Sequence, residues 1–229
     1  MTIPLQNVKM NTEVNKMSAL FKDRHEAGDQ LAILVDNLNI KSPVVLGLPR
    51  GGIPVAKAVA RQLVAPLDVI VVRKLGVPWS PELGFGAISE EGIVVYNQDV
   101  LASIDLKESE IEEIISNETK ILESRLTGIR KVVKQYTLDG RTAVIVDDGI
   151  ATGVDARAAC RVARARGAVR VVLATPVAPA GWEQNLKGEA DDFLAVLTPS
   201  DLHAIGDWYL DFRTVTDEEV LEILGEQHG

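Results

Sequence analysis

The sequence has little of what marks a secreted, membrane or nucleic-acid-binding protein. Its single cysteine, Cys160, excludes an intramolecular disulfide and is compatible with a reducing cytosol, so we expect a cytoplasmic protein. No apolar run approaches the roughly 18 residues that cross a bilayer, and residues 1–17 lack the apolar core of a secretory signal. Acidic residues outnumber basic residues, and the resulting net charge of −9 argues against a nucleic acid as partner.

Apolar residues follow two periodicities along the 229 residues. Continuous apolar runs predict buried strands at 44–48, 68–72, 142–146, 169–174 and 193–197. Helical spacing predicts helices at 18–37, 55–63, 111–133 with a cap before it, and 156–166 with Gly167 after it. Strands that alternate with helices predict an α/β fold with a largely parallel sheet flanked by helices.

The domain organisation follows from where this alternation begins and breaks. We predict an N-terminal extension over 1–17 and a single domain over 18–229. Within that domain, residues 178–224 break the alternation and predict a small hood lobe, folded over the strand ends. Asp105 and Glu108 have the spacing of a capping box at the start of the long helix.

A long stretch at 75–97 is punctuated by glycine and proline. Such a stretch between core strands is either a loose hairpin or a mobile lid, with residues 93–96 as part of a hairpin. Glu82, Glu90 and Glu91 lie in it, and no feature of the sequence selects one of them as catalytic.

The most informative segment is 144–154, Val-Ile-Val-Asp-Asp-Gly-Ile-Ala-Thr-Gly-Val. A buried strand leads into two adjacent carboxylates, Asp147 and Asp148, then a small-residue loop and a helix. Loop amides and a helix N-terminus suit a terminal phosphate, which Gly149 and Gly153 let approach closely. The carboxylates only accept hydrogen bonds and therefore suit sugar hydroxyls. Together they predict a ribose 5-phosphate site; the alternative is that the acids merely cap a helix.

This segment closely resembles the donor-binding motif of type I phosphoribosyltransferases. The resemblance implies that the acid pair binds the ribose hydroxyls of the donor. It also implies that the 5-phosphate is bound by the loop residues Gly149, Ile150, Ala151, Thr152 and Gly153. Asp155 stands where many family members have Thr or Ser, and we expect it to turn away from the phosphate and support the helix N-terminus. Neither a Walker A loop nor a G-x-G-x-x-G turn occurs in the chain.

The segment Leu48–Gly52, directly after the first strand, matches the pyrophosphate loop of that family. The resemblance assigns Arg50, Gly51 and Gly52 to pyrophosphate, which two glycine amides and a planar guanidinium suit. The bond between Pro49 and Arg50 falls where family members often hold a cis peptide, and we predict cis there. The alternatives are a plain turn and a trans bond.

Two further matches are more distant. Arg73 and Lys74, predicted at the end of the second strand, match a phosphate-contacting pair, or else form a solvated edge. After a one-residue insertion, segment 203–212 resembles the base-binding hood of the 6-oxopurine branch. His203 then takes the base-stacking position and Asp211 that of an acid near the metal. The alternative is that the aromatic side chains of this segment form the core of the lobe.

The resemblance implies an enzyme that transfers a phosphoribosyl group from 5-phosphoribosyl pyrophosphate to a nitrogenous base and releases pyrophosphate. Its implied catalytic residues are Asp147, Asp148 and Lys74. Its implied cofactor is Mg²⁺, bound by Asp147, Asp148 and Asp211 with substrate oxygens. We expect a homodimer. Two rival readings are a regulator that binds the donor without turnover and a structural protein on the same fold.

Overall fold

The computed structural model describes residues 20–90 and 92–226, apart from the side chains at 81, 82 and 125. The predicted extension over 1–17 and Glu91 lie outside the described residues. Across these two ranges, none of the helices combines the length and apolarity needed to cross a membrane.

The secondary structure alternates between strands and helices along most of the chain. In chain order the elements are α1 (Arg24–Asp36), β1 (Pro43–Gly47), α2 (Gly52–Leu63), β2 (Leu67–Val69), β3 (Val72–Val77), β4 (Ser80–Ser89), β5 (Val94–Tyr96), α3 (Gln98–Ser103), α4 (Glu108–Val132), β6 (Thr142–Val146), α5 (Val154–Ala165), β7 (Arg170–Val177), α6 (Trp182–Asn185), β8 (Asp192–Leu197), a 3-10 turn (Ile205–Trp208) and α7 (Asp217–Gly225).

Five parallel strands form the main sheet, in the order β2-β1-β6-β7-β8. Successive side chains of a strand point to opposite faces, so Val45 joins one hydrophobic cluster while Val44 and Leu46 join another. Side chains of α1, α2, α4 and α7 cover the first face, and those of α5 and α6 cover the second. This arrangement confirms the predicted α/β fold with a parallel sheet between helices.

A separate antiparallel sheet, in the order β3-β4-β5, occupies the stretch predicted as a hairpin or lid. Its core consists of Leu75, Val77, Phe85 and Ile88, against which apolar side chains of α3 and α4 pack. The predicted strand at 68–72 is therefore wrong in part. Its first residues form β2 in the main sheet, and its last residue begins β3 in the small sheet.

Three other boundaries differ from or match the predictions. Helix α4 has Lys107 as its N-cap, and the Glu110 carboxylate accepts the Lys107 amide at 2.8 Å, so the predicted Asp105–Glu108 box is wrong by two residues. Gly167 follows α5 with φ of +90°, as predicted for its C-terminus. Strand β8 falls inside the predicted hood range but belongs to the main sheet.

Candidate functional site

Two loops meet at the carboxyl edge of the main sheet because β1 and β6 are neighbours. One is 48–52, after β1, and the other is 147–153, after β6. The Leu48 amide donates to the Val146 carbonyl at 2.9 Å. A Cβ atom on Gly51 would lie 2.0 Å from Asp148 Oδ2, and one on Gly52 would lie 2.6 Å from the Val146 oxygen. Only glycine allows the two loops to approach this closely.

The loop after β1 contains a cis peptide bond between Pro49 and Arg50, which confirms that prediction. The amide of Gly52 donates to the Leu48 carbonyl at 3.0 Å and begins α2. That amide is engaged within the loop, and its predicted contact with pyrophosphate stays a prediction. The Arg50 side chain extends toward α7, where its Nη1 lies 3.8 Å from Asp217 Oδ1.

The two acids of the pair have different surroundings. Asp147 is half-buried, and its Oδ1 accepts the amide of Asp148 at 2.9 Å. Burial and the negative charge of Asp148 raise the pKa of Asp147 well above its usual value. Burial also raises the pKa of Asp148, but the neighbouring Arg24 opposes that rise.

Arg24, the first residue of α1, holds Asp148 from the side of the hood lobe. Its Nε lies 2.7 Å from Asp148 Oδ2, and its Nη1 donates to the Arg213 carbonyl at 2.8 Å. The guanidinium carbon lies 3.9 Å from the centre of the Phe212 ring, a cation–π contact in a nearly buried setting. The Tyr209 hydroxyl donates to the Asp148 carbonyl at 2.6 Å. No sequence motif connects Arg24 with Asp148, since 124 residues separate them.

The loop after the acid pair turns into α5 as predicted, although one of its amides is already bonded. The Ile150 amide donates to the Val177 carbonyl at 2.9 Å and the side chain is buried. Its predicted role as a phosphate donor stays a prediction. Ala151 and Thr152 are exposed, and Gly153 adopts φ of +75° as the N-cap of α5. The first amides of a helix have no intrahelical acceptor, so an anion can bind there.

A cavity of about 610 Å³ lies beside these loops, between β3 and α4. Pro49, Arg73, Lys74, Glu118 and Asp155 line it. Arg73 Nη2 lies 2.6 Å from Glu118, and the Lys74 stem would contact a Cβ on Gly84 at 3.0 Å. Both cations belong to β3 rather than to the end of a main-sheet strand, which corrects that prediction.

Asp155 lines the same cavity from the first turn of α5. Burial raises its pKa, and the charges of Lys74 and Arg73 oppose that rise. The position of Asp155 in the first turn agrees with the expectation that it supports the helix N-terminus.

The remaining predicted residues lie in the hood lobe. His203 is exposed. Asp211 is exposed, accepts the Arg213 amide at 3.1 Å, and lines a cavity of about 310 Å³ with Arg24 and Lys57. Trp208 and Tyr209 are buried in one cluster with Phe21, which confirms the alternative that aromatic side chains form the core of the lobe.

The comparisons with known proteins identify the family. A model of the phosphoribosyl transferase domain matches residues 22–200. The chain belongs to the phosphoribosyl transferase family. This confirms the resemblance drawn from residues 144–154.

Individual relatives agree with this assignment. Two Mycobacterium tuberculosis proteins, from strains CDC 1551 / Oshkosh and H37Rv, are named as phosphoribosyl transferases and are each 48% identical over 209 residues. The match covers 91% of this chain but 47% of those proteins, so the chain spans about half of their length. The crystal structure of TT1426 from Thermus thermophilus is 42% identical, with a TM-score of 0.83 over 90% of this chain and 98% of that chain.

The acidic residues near the two loops fit a magnesium ion only in part. Across the described ranges, 20–90 and 92–226, no three His, Cys, Asp or Glu side chains cluster closely enough to bind a metal. Asp211 therefore does not complete a three-acid site with Asp147 and Asp148. The acid pair alone offers adjacent carboxylate oxygens, which suits an ion that takes most of its ligands from substrate phosphates and water.

Proposed function

We propose that this chain binds 5-phosphoribosyl pyrophosphate at the carboxyl edge of β1 and β6 and transfers its phosphoribosyl group to a nitrogenous base. Pyrophosphate is the second product. The observation that carries the proposal is the contact between the two loops, in which only glycine at position 51 leaves room for the Asp148 carboxylate. The close approach of the two loops allows one molecule to contact both of them.

Each part of the donor has a partner in this arrangement. Asp147 accepts from a ribose hydroxyl, since Arg24 already engages one oxygen of Asp148. The amides of Ala151, Thr152 and Gly153, with the Thr152 hydroxyl, bind the 5-phosphate. Gly51 and Arg50 bind the pyrophosphate, while Gly52 and Ile150 maintain the shapes of their loops. Arg73 and Lys74 add positive charge on the β3 side.

The reaction breaks the bond between C1′ and the pyrophosphate oxygen and forms a bond from C1′ to the base nitrogen, whose proton passes to water or to the leaving pyrophosphate. The electron pair of the broken bond leaves with pyrophosphate, and positive charge develops on the sugar ring. The carboxylates of Asp147 and Asp148 stabilise that charge electrostatically. The small sheet covers the cavity on the β3 side and limits the access of water to the activated sugar.

We propose that Mg²⁺ is the cofactor, bound by Asp147 and the free oxygen of Asp148 together with donor oxygens. When bound, it would neutralise charge on the leaving pyrophosphate. The adjacency of the two carboxylates supports this assignment, because a cation between Asp147 and Asp148 would relieve their mutual repulsion, which adds to burial in raising the pKa of Asp147.

Calorimetric titration of the donor with Mg²⁺ tests this site. The Asp147→Asn variant loses a charged acceptor and should bind the donor about 10–100-fold more weakly, on the order of 1.5–3 kcal/mol. Asp99→Asn, at an exposed acid in the first turn of α3, is the matched control and should bind normally. Equal affinity of wild type and Asp147→Asn would refute the assignment.

A regulator that binds the donor without turnover is the second candidate. Two observations favour it: Arg24 engages Asp148, and Glu118 engages Arg73, so two functional groups are partly occupied. Pyrophosphate release separates the two candidates. Donor, Mg²⁺ and a panel of bases, followed by mass spectrometry, should yield a nucleotide and pyrophosphate if the chain is an enzyme. Tight donor binding with no product from any base would favour the regulator.

A further inference from the structure

A second cavity of about 610 Å³ opens on the α7 side of the loop after β1. It lies between α4 and α7, and Pro49 separates it from the cavity that contains Lys74. We call it the α4–α7 cleft. Its size falls within the range of small-molecule sites, and none of the predicted donor contacts except Arg50 reaches it.

The α4–α7 cleft has an apolar floor and one apolar wall. Ile129 and Val220 form the floor and are buried in the main core. Ile121 forms the wall, with 46% of its surface exposed. A large aliphatic side chain left this open beside a cavity gains from an apolar ligand that covers it.

Gly128 is the observation that singles out this cleft. It lies in the last third of α4, where glycine weakens a helix relative to alanine. Among the described atoms, a Cβ there would meet nothing within 4 Å, and the residue is not among those with positive φ. Neither packing nor backbone conformation therefore requires glycine. What the missing side chain does provide is a flat stretch of helix facing the cavity.

The polar residues of the cleft give it one net positive charge. Lys120 and Arg50 supply two cations, and Asp217 supplies one anion. The Arg50–Asp217 pair is long, at 3.8 Å, and both side chains are exposed, so water weakens it. The Ser124 hydroxyl adds a donor on the same helix as Lys120.

We propose that the α4–α7 cleft is a second ligand site, which binds an organic monoanion with a planar apolar body. The apolar body lies on Gly128 and against Ile121, and the anionic group faces Lys120. Because Arg50 also belongs to the proposed pyrophosphate loop, ligand in the cleft alters the affinity for pyrophosphate. That last consequence rests on the proposed function, whereas binding in the cleft does not.

The test uses 2-naphthoate as the probe, titrated into the full chain and followed by ligand-observed NMR. We expect saturable binding, and at least fivefold weaker binding of the neutral 2-naphthalenemethanol. Lys120→Ala should weaken 2-naphthoate at least fivefold, while Lys131→Ala, an exposed lysine on the same helix outside the cleft, should not. Gly128→Met should abolish binding by filling the open space, while Thr127→Met, one residue away on the exposed face, should retain it.

The contrary results are distinct. Equal binding to Lys120→Ala and Lys131→Ala, or to both methionine variants, would overturn the proposal. A second result would also overturn the proposal: the wild type fails to bind 2-naphthoate and sediments as a dimer, while Gly128→Met sediments as a monomer. In that case a second copy of the chain covers the cleft. Binding with the expected variant pattern but no effect on the Kd of magnesium pyrophosphate would keep the site and refute only its link to Arg50.

Discussion

The two sheets of this protein meet at one site but are stabilised differently. The main sheet lies between two layers of helices, and β6 is buried along its whole length. The small sheet has a minor core that only partly buried side chains of α3 and α4 cover. Its tip carries Trp79, which is 63% exposed. Elements with fewer buried contacts open at lower free energy, so we expect the small sheet to open more readily than the main sheet, which carries the two proposed donor loops.

The largest expected effect is at the ion-pair junction between the sheets. Arg130 of α4 contacts Asp68 of β2 at 2.6 Å and Glu90, directly after β4, at 2.5 Å. Asp68 is fully buried, so Arg130→Met leaves it without its cation. We expect a loss of about 3–5 kcal/mol in the free energy of unfolding, measured by urea denaturation.

The matched control for this junction is Arg61→Met. Arg61 pairs with Asp29 at 2.7 Å, but both side chains are largely exposed. That substitution should cost at most about 1 kcal/mol. Similar losses in the free energy of unfolding of Arg130→Met and Arg61→Met would mean that the ion-pair junction does not stabilise the contact between the sheets.

A matched pair of leucines compares the two sheets directly. Leu46 in the main sheet and Leu75 in the small sheet are both fully buried. Leu46→Ala should lower global stability by about 2–5 kcal/mol. Leu75→Ala should instead raise amide exchange within β3–β5 and leave β1 and β6 protected. Loss of protection in both sheets of the Leu75 variant would show that they unfold as one unit.

Asp147 should show a trade-off between stability and donor binding. Its raised pKa means that the folded state holds the proton more tightly, so ionisation destabilises the fold as pH rises through the folded pKa. Asp147→Asn should therefore be more stable at pH 7, on the order of 1 kcal/mol, while it binds donor more weakly. The stability difference should disappear at acid pH, where Asp147 is neutral. Thermal unfolding of wild type and Asp147→Asn at pH 4 and pH 7 measures this stability difference. A variant less stable than wild type at pH 7 would contradict the raised pKa of Asp147.

The smallest expected effect is a gain at Gly128. Because a Cβ there has open space, Gly128→Ala should stabilise α4 by about 0.5–1 kcal/mol. Denaturant titration measures the free energy of unfolding of this variant. Ser124→Ala, at a residue that lines the same cleft, is the control that separates helix propensity from effects of the cavity. A destabilised Gly128→Ala variant would indicate a contact that the described side chains do not explain.

The main sheet could be predicted from the sequence because buried parallel strands are continuously apolar. The runs at 44–48 and 142–146 match β1 and β6 closely. The small sheet was less readable, since β3 contains Arg73, Lys74 and Gly76, and β4 contains Pro81 and two glycines. Their strand pairing comes from packing on α4, which no local pattern reveals.

The candidate site also has parts that the sequence predicts and parts that it does not. The acid pair and both loops could be predicted because each is contiguous in sequence. The ion pair of Arg24 with Asp148 could not, because it joins the start of α1 to the end of β6. The bonded amides of Ile150 and Gly52 were equally hidden, since their acceptors depend on how neighbouring segments pack.

The Arg24 contacts also have a consequence for synthesis of the chain on the ribosome. Arg24 bonds to the carbonyl of Arg213, 189 residues later. At roughly 5–20 residues per second, these two residues are made about 10–40 s apart. Asp148 is made within that interval, and it lacks part of its final surroundings until residues 209–213 follow. A chain stalled near residue 200 would therefore contain the donor loops without the Tyr209, Phe212 and Arg213 contacts that hold Arg24 against the acid pair.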